Sequence, residues 1–157
     1  MNPITDFSPA GLAKILSRAG YPAVPGNATS TYVKLRHDSK DYPVILLKTD
    51  YTLRISCQLG TLGSFSEEEL PLVALNALAA NTETVPYAIS IVKPRDEHSA
   101  EAISNSPVIL INSVDGEDLS EEELLWELTQ LQRAVVIANK TIEASKHIAR
   151  QTAGVTA

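Results

Sequence analysis

The chain has 157 residues, 44% of them apolar and 20% charged, a composition typical of a folded globular protein and not of a disordered one. Thirteen basic and nineteen acidic side chains leave a net charge of −6, which disfavours sequence-independent nucleic-acid binding and docking on an anionic membrane. The single cysteine, Cys57, excludes an internal disulfide and suits a reducing compartment. Because no signal-like N-terminal run and no membrane-length apolar stretch is present, we expect a cytoplasmic protein.

The first half of the chain predicts one helix and three strands. Ser8 and Pro9 are typical of a helix start, and Gly20 of a helix end. Segment 21–27 carries two prolines and a glycine, so we expect a loop there. Strands are expected at 31–36, 44–47 and 51–59. The last strand alternates apolar and polar residues, which is typical of an antiparallel sheet with one face on a core.

The second half predicts two helices and two strands. The runs 66–69 and 120–123 both read Ser-Glu-Glu-Glu, a capping-box pattern that starts a helix. Strands are expected at 87–92 and 108–114, with a polar loop at 93–106. The last helix is expected to run from Ser120 to Arg150. The predicted fold is therefore α+β, with an antiparallel sheet of about five strands in the order α-β-β-β-α-β-β-α. It forms a single domain over 1–150 with a short C-terminal tail at 151–157.

The last helix has two apolar faces. A stripe with heptad-like spacing is formed by Leu124, Leu128, Leu131, Val135, Ala138 and Ile142. A second patch on the opposite side is formed by Trp126, Ile137, Ala144 and Ile148. One face can cover the chain's own sheet, and the other predicts a cover supplied by a second copy of the chain. Cover by the first helix is the alternative.

Charge is unevenly distributed along the sequence. Residues 33–58 carry five basic and three acidic side chains, a net +2, whereas residues 59–123 carry two basic and thirteen acidic, a net −11. Lys34, Arg36 and Arg54 lie at the polar positions of predicted strands. They predict a basic sheet face that could dock an acidic segment of a partner, with an ordinary solvated face as the alternative. Aromatic residues make up only 5% of the chain, which disfavours single-stranded nucleic acid.

We predict no catalytic residue, cofactor site or metal site. The three histidines, at 37, 98 and 147, lie far from one another in the sequence and Cys57 has no cysteine neighbour, so zinc-ligand spacing is absent. Cys57 lies on the apolar face of its strand and is expected to be an inert, buried thiol. The segment 60–63 lacks the lysine of a phosphate-binding loop.

Four polar clusters have ordinary structural interpretations that need no functional site. Segments 36–38 (Arg-His-Asp) and 96–98 (Asp-Glu-His) are interpreted as solvated loop tips. The two glutamate runs are explained by the dipoles of the helices that they begin. An enzyme with a dispersed site around His37 or His98 is the weakest of the hypotheses, because no constellation of residues supports it.

The order of elements, the acidic balance and the two-faced last helix resemble the type III secretion chaperone-like fold. Within it, the chain looks most like the small bacterial YbjN-like proteins, over roughly Pro9 to Arg150. The resemblance rests on two local segments. They are Leu75–Asn81, before the strand Tyr87–Ile91, and Leu119–Leu124, at the start of the last helix. Pro71, at the start of the second helix, departs from the pattern. The resemblance implies homodimers and protein binding, and it brings no catalytic residues.

The sequence thus favours a non-enzymatic, homodimeric protein-interaction module, chaperone-like or regulatory. Its expected partners are a second copy of itself and an unidentified protein, without cofactor, nucleic acid or membrane. The alternative is a sensory or regulatory domain that binds a small ligand between the first helix and the sheet.

Overall fold

The structure, a computed structural model, describes residues 2–93 and 99–156. In chain order the elements are α1 (Pro9–Arg18), β1 (Ala23–Pro25), β2 (Ser30–His37), β3 (Lys40–Lys48), β4 (Thr52–Thr61), α2 (Leu70–Ala80), β5 (Ala88–Ile91), α3 (Ala100–Ser104), β6 (Pro107–Asp115) and α4 (Glu121–Thr156). A short 3-10 turn, Leu62–Ser64, follows β4. The polar cluster 96–98, with His98, lies outside the described residues.

The strands form one six-stranded sheet in the order β1-β2-β3-β4-β6-β5. β1 to β4 pair as successive antiparallel neighbours, as the tight connections between them require. The predicted α+β class with an open antiparallel sheet is confirmed, with six strands where about five were expected.

The two additional elements are both short. β1 lies within the segment expected to be a loop, and it pairs with β2 through Ala23↔Val33 and Pro25↔Thr31. An edge strand tolerates proline because its outward side needs no backbone N–H. α3 lies within the predicted loop 93–106, and it begins where the Ala102 N–H donates to Ser99 Oγ at 3.1 Å. Neither segment is long enough to show a periodic pattern.

Hydrogen bonds at the starts of α4 and α2 match the two capping patterns in the sequence. The Ser120 N–H donates to Glu123 Oε2 at 2.8 Å, and the Glu123 N–H donates to Ser120 Oγ at 3.1 Å. This reciprocal pair is the predicted capping box. Ser66 and Glu69 make the same pair at 3.0 and 3.2 Å, one turn before α2 begins. At the other end, α4 continues to Thr156, so residues 151–156, expected as a tail, are helical.

The chain divides into two compact units. The first comprises residues up to 58 together with 111–132. Its core is built from α1, the inward side of the sheet and the first turns of α4, and includes Leu12, Leu16, Leu35, Leu46, Leu53, Ile55, Leu124, Leu128 and Leu131. β4 buries alternate residues as predicted, whereas Tyr51, just before it, is 69% exposed.

The second unit comprises residues 59–110 and those from 133 onwards. Its buried apolar residues are Val73, Ala80, Tyr87, Val108, Ile109, Leu110, Ala134, Val135, Ala138, Ile142 and Ala149. In both units, the heptad-like stripe of α4 is buried, as its spacing predicts.

Candidate interaction surfaces

Helix α2, in the second unit, is apolar but poorly covered. Its sequence, LPLVALNALAA, has no charged residue, yet only Val73 and Ala80 are buried. Leu75 and Leu78 are 64% and 69% exposed. Because a helix that is apolar all round is normally covered by protein or lipid, exposed leucines at these positions mark an interaction surface. The sequence analysis did not single out this exposure, although the absence of charged residues from α2 was a signal of it.

An apolar groove runs beside α2 within the second unit. It has a volume of about 290 Å³, and its lining includes Leu70, Val73, Leu78, Ile89, Ile91 and Val108. Ser90 is the single polar residue among those that line it. The groove therefore offers an apolar cleft with little hydrogen-bonding capacity, which suits an apolar side chain or an apolar small molecule.

Strand β5 lies at the edge of the sheet. The side chain of Asn81 forms hydrogen bonds with the backbone of Ile89 in this strand. The Ile89 N–H donates to Asn81 Oδ1 at 2.7 Å, and Asn81 Nδ2 donates to the Ile89 carbonyl at 3.4 Å. These groups are therefore satisfied and do not invite another strand to pair, which is the usual hazard of an edge. At Ile89, therefore, a partner would meet the Asn81 side chain and not a free backbone group.

Polar contacts hold α2 against α4 within the second unit. Asn76 Nδ2 donates to Ser145 Oγ at 2.9 Å. The buried Glu69 carboxylate places Oε2 at 3.3 Å from Arg150 Nη2. That contact is an ion pair without hydrogen-bond geometry, since Oε2 has no hydrogen-bond partner among the described residues. These two contacts flank Leu72 and Val73 and leave Leu75 and Leu78 on the outer side.

The Glu69 carboxyl has a pKa below its ordinary value. The main cause is the hydrogen bond from the Ser66 backbone N–H, opposed by burial and supported by the Ser66 side chain, Arg150 and Lys146. A carboxylate that accepts a backbone N–H is stabilised in its charged form. The charged Glu69 thus belongs to the start of α2 as a structural group.

The residues predicted as a dimer contact on α4 are accessible to different extents. In the first unit, Trp126 is 54% exposed. In the second unit, Ile148 is 49% exposed, Ala144 is exposed and Ile137 is half-buried. Ile148 lines a cleft of about 480 Å³ whose other walls include Pro71 and Leu72.

The predicted basic face lies in the first unit. Lys34, Arg36 and Arg54 are all exposed, and strand register and alternation place them on one face of the sheet. Arg36 Nη1 lies 3.8 Å from Asp41 Oδ1. The same face carries exposed apolar residues that the sequence did not single out, among them Tyr32 and Ile45.

Reactive side chains do not assemble into a site in the described ranges. Burial raises the pKa of the Cys57 thiol to about 12. His37 Nε2 lies 3.4 Å from Asp38 Oδ2 at an exposed turn, and His147 is exposed on α4. Within residues 2–93 and 99–156, no three His, Cys, Asp or Glu side chains are placed to hold a metal ion. Nor does that part of the chain contain a helix long and apolar enough to cross a membrane.

Comparison with known proteins gives a structural match only. No family model and no curated protein matches the sequence. Among solved structures, the chain is similar to YbjN from E. coli, described as a proposed transcription regulator. The TM-score is 0.61, with 15% identity over 94% of this chain and 96% of that one. The fold is that of YbjN. The predicted YbjN-like resemblance is therefore confirmed at the level of fold.

A second structure, an uncharacterized protein from Methanothermobacter thermautotrophicus, is also similar. It has a TM-score of 0.48 and 15% identity over 86% of this chain and 96% of that one. At such identities the likeness concerns the fold, and function has to be argued from the surfaces of this chain.

Proposed function

We propose that the chain is a cytoplasmic, non-enzymatic protein-interaction module that forms homodimers and acts as a chaperone-like or regulatory adaptor. The observation that carries the proposal is α2, an uncharged helix that exposes Leu75 and Leu78 beside an apolar groove. Burying each of these leucines contributes on the order of 1–2 kcal/mol. A second copy of the same surface is the simplest cover.

Charge opposes self-association least at this place. Each copy carries a net −6, so two copies repel one another over most of their surfaces. α2 and β5 contain no charged residue, so contact there does not oppose like charges directly. A two-fold dimer brings the same patch of each copy together. Two apolar patches can pack in this way without needing complementary charges.

The exposed residues of α4 provide a second candidate contact. Trp126 and Ile148 are half exposed, and tryptophan is among the residues that contribute most at protein interfaces. Variants can separate the two surfaces. We expect Leu78→Glu to shift the chain from dimer to monomer, because it places a charge in an apolar interface. If α4 forms the contact instead, Trp126→Glu will have this effect.

The measurement is the molar mass by size-exclusion chromatography with light scattering. Tyr51→Glu is the matched control, since Tyr51 has the same 69% exposure as Leu78 but lies in the first unit. A wild-type mass of 16.9 kDa, that of one chain, at a concentration of about 100 μM would contradict the dimer. A dimer that survives both Leu78→Glu and Trp126→Glu would contradict both proposed contacts.

A second candidate function is binding of a small apolar ligand, favoured by the groove beside α2. Its volume of about 290 Å³ is close to the lower end of the range for ligand pockets, roughly 300 Å³. It lies beside α2 and not beside the first helix, where the sequence placed a pocket. A thermal-shift screen with apolar metabolites tests this function. Ala77→Leu, which fills the groove, should abolish any ligand-dependent rise in melting temperature.

A further inference from the structure

The exposed face of β1–β4 carries an apolar row. Strand register aligns Val24 with Tyr32 and Tyr32 with Ile45, and these side chains are 59%, 45% and 41% exposed. They line a shallow groove of about 450 Å³. The solvated face of an antiparallel sheet is normally polar. Three exposed apolar side chains in register depart from this pattern and are typical of a binding surface.

Basic side chains flank this row on both sides. Lys34 follows Tyr32 on the same face and pairs with Pro43, whereas Arg54 pairs with Leu47, on the other side of Ile45. Lys34 also lines the groove. Among residues 2–93 and 99–156, no acidic side chain forms an ion pair with Lys34 or Arg54. In a chain of net charge −6, two uncompensated cations beside an apolar row make a local site for an anion.

We propose that this face binds a short acidic peptide segment of a partner protein, with one apolar residue between two carboxylates. The apolar residue would lie on Tyr32 and Ile45, and the carboxylates would reach Lys34 and Arg54. The strand spacing and rise place the Cα atoms of Lys34 and Arg54 about 16 Å apart, the span of about five residues of extended chain. The inference rests on the proposed role in protein interaction and names the partner chemistry.

Nucleic acid fits this face less well. Phosphate-backbone binding usually relies on about 6–10 basic contacts, whereas this face offers Lys34, Arg54 and Arg36, the last already beside Asp41. Base stacking needs several exposed aromatic rings, and Tyr32 is the aromatic residue of this groove. An apolar centre with a cation on each side is complementary to a peptide that has an apolar residue between two carboxylates.

The test is fluorescence anisotropy with the full chain at low ionic strength. The probe is a fluorescein-labelled synthetic peptide with two glutamates five residues apart and a leucine between them. Comparison probes replace the leucine by glycine or the glutamates by glutamine, and a labelled single-stranded DNA represents nucleic acid. We expect the acidic, leucine-containing peptide to bind at least about tenfold more tightly than each comparison probe.

Variants locate the site. Lys34→Glu with Arg54→Glu should weaken binding of the acidic peptide at least about tenfold, and Ile45→Ser should weaken it while leaving the weak binding of the glycine probe unchanged. The control Lys14→Glu with Lys140→Glu makes the same change of charge at other exposed positions. It should weaken binding by less than about twofold, and this change measures the long-range effect of net charge. Thermal melts establish that each variant is folded.

Three results would overturn the inference. They are equal binding of the acidic and the glutamine probes, tighter binding of the DNA than of the peptide, and undiminished binding by the variant with Lys34 and Arg54 reversed. The molar mass of each variant separates this inference from the proposed function. A dimer that does not bind the peptide contradicts the inference alone, and a monomer that binds it contradicts the proposed homodimer alone.

Discussion

The side-chain amide of Asn81 occupies both backbone groups of Ile89, accepting from its N–H at 2.7 Å and donating to its carbonyl at 3.4 Å. Asn81 follows directly after α2, and Ile89 lies in the edge strand β5. One side chain therefore fixes the end of the exposed helix to the strand that forms the floor of the groove. It also satisfies backbone groups that an edge strand would otherwise present to another chain.

Asn81→Ala should destabilise the protein and favour aggregation. The Ile89 N–H and carbonyl would lose their partner, at a cost of about 1–3 kcal/mol, and the edge would be open to strand pairing. Urea denaturation measures the first effect and light scattering on storage the second. Glu83→Ala, at an exposed neighbouring position, is the control and should change the free energy of unfolding by less than about 0.5 kcal/mol. An Asn81→Ala variant as stable as wild type would show that these bonds contribute nothing.

Glu69 should make stability depend on pH in the acid range. Its pKa is lowered in the folded chain, first by the Ser66 backbone N–H, so the folded state binds the proton less tightly than the unfolded state does. The resulting stabilisation is complete above the unfolded pKa of about 4.3 and is lost as the pH falls through the lowered folded value. Glu69→Gln lacks this contribution.

The gap in unfolding free energy between wild type and Glu69→Gln should therefore shrink as the pH is lowered from neutral to about 3. Denaturant titrations at each pH measure it. Glu67→Gln, at an exposed position of the same run, is the control and should show a smaller gap at neutral pH. A Glu69→Gln gap that stays constant or widens in acid would mean that the Glu69 charge is not stabilising.

Cys57 should be unreactive in the folded protein. Its thiol is fully buried, and burial raises its pKa to about 12, so almost no thiolate is present at neutral pH. A thiol-specific chromogenic reagent should label one equivalent in denaturant and react at least about a hundredfold more slowly under native conditions. Rapid stoichiometric labelling of the folded chain would show that the β4 core opens readily.

Substitution of Leu128 tests whether the heptad-like stripe of α4 is buried. It is fully buried in the first unit, so Leu128→Ala should lower the free energy of unfolding by about 2–5 kcal/mol through lost burial and a cavity. Gln132→Ala, one turn further along and exposed, should change it by less than about 0.5 kcal/mol. Both are measured by urea denaturation at one protein concentration, because association shifts apparent stability. Equal effects of the two variants would contradict the assignment of faces.

The fold was predictable where local chemistry alone determines structure. The capping box at Ser120 and the period-2 alternation of β4 each depend on residues close together in the sequence, and both appear in the structure. β1 was missed because its three residues become a strand through pairing with β2. α3 was missed because a five-residue helix has too few positions to show a period.

The interaction surfaces were less predictable, because exposure is a property of the whole fold. The uncharged sequence of α2 suits a core helix as well as an interface helix, and only the exposed side chains of Leu75 and Leu78 distinguish them. Alternation did place Lys34, Arg36 and Arg54 on one face. It did not reveal the apolar row of Tyr32 and Ile45, whose alignment depends on the register between β2 and β3.

Sedimentation of the wild-type chain over a range of concentrations tests self-association most directly. We predict that the weight-average mass rises from near 16.9 kDa, the mass of one chain, towards twice that value between about 0.1 and 100 μM. Leu78→Glu should remain at the mass of one chain throughout. A wild-type mass that stays at one chain up to the highest concentration would contradict the homodimer and leave the α2 surface to a different partner.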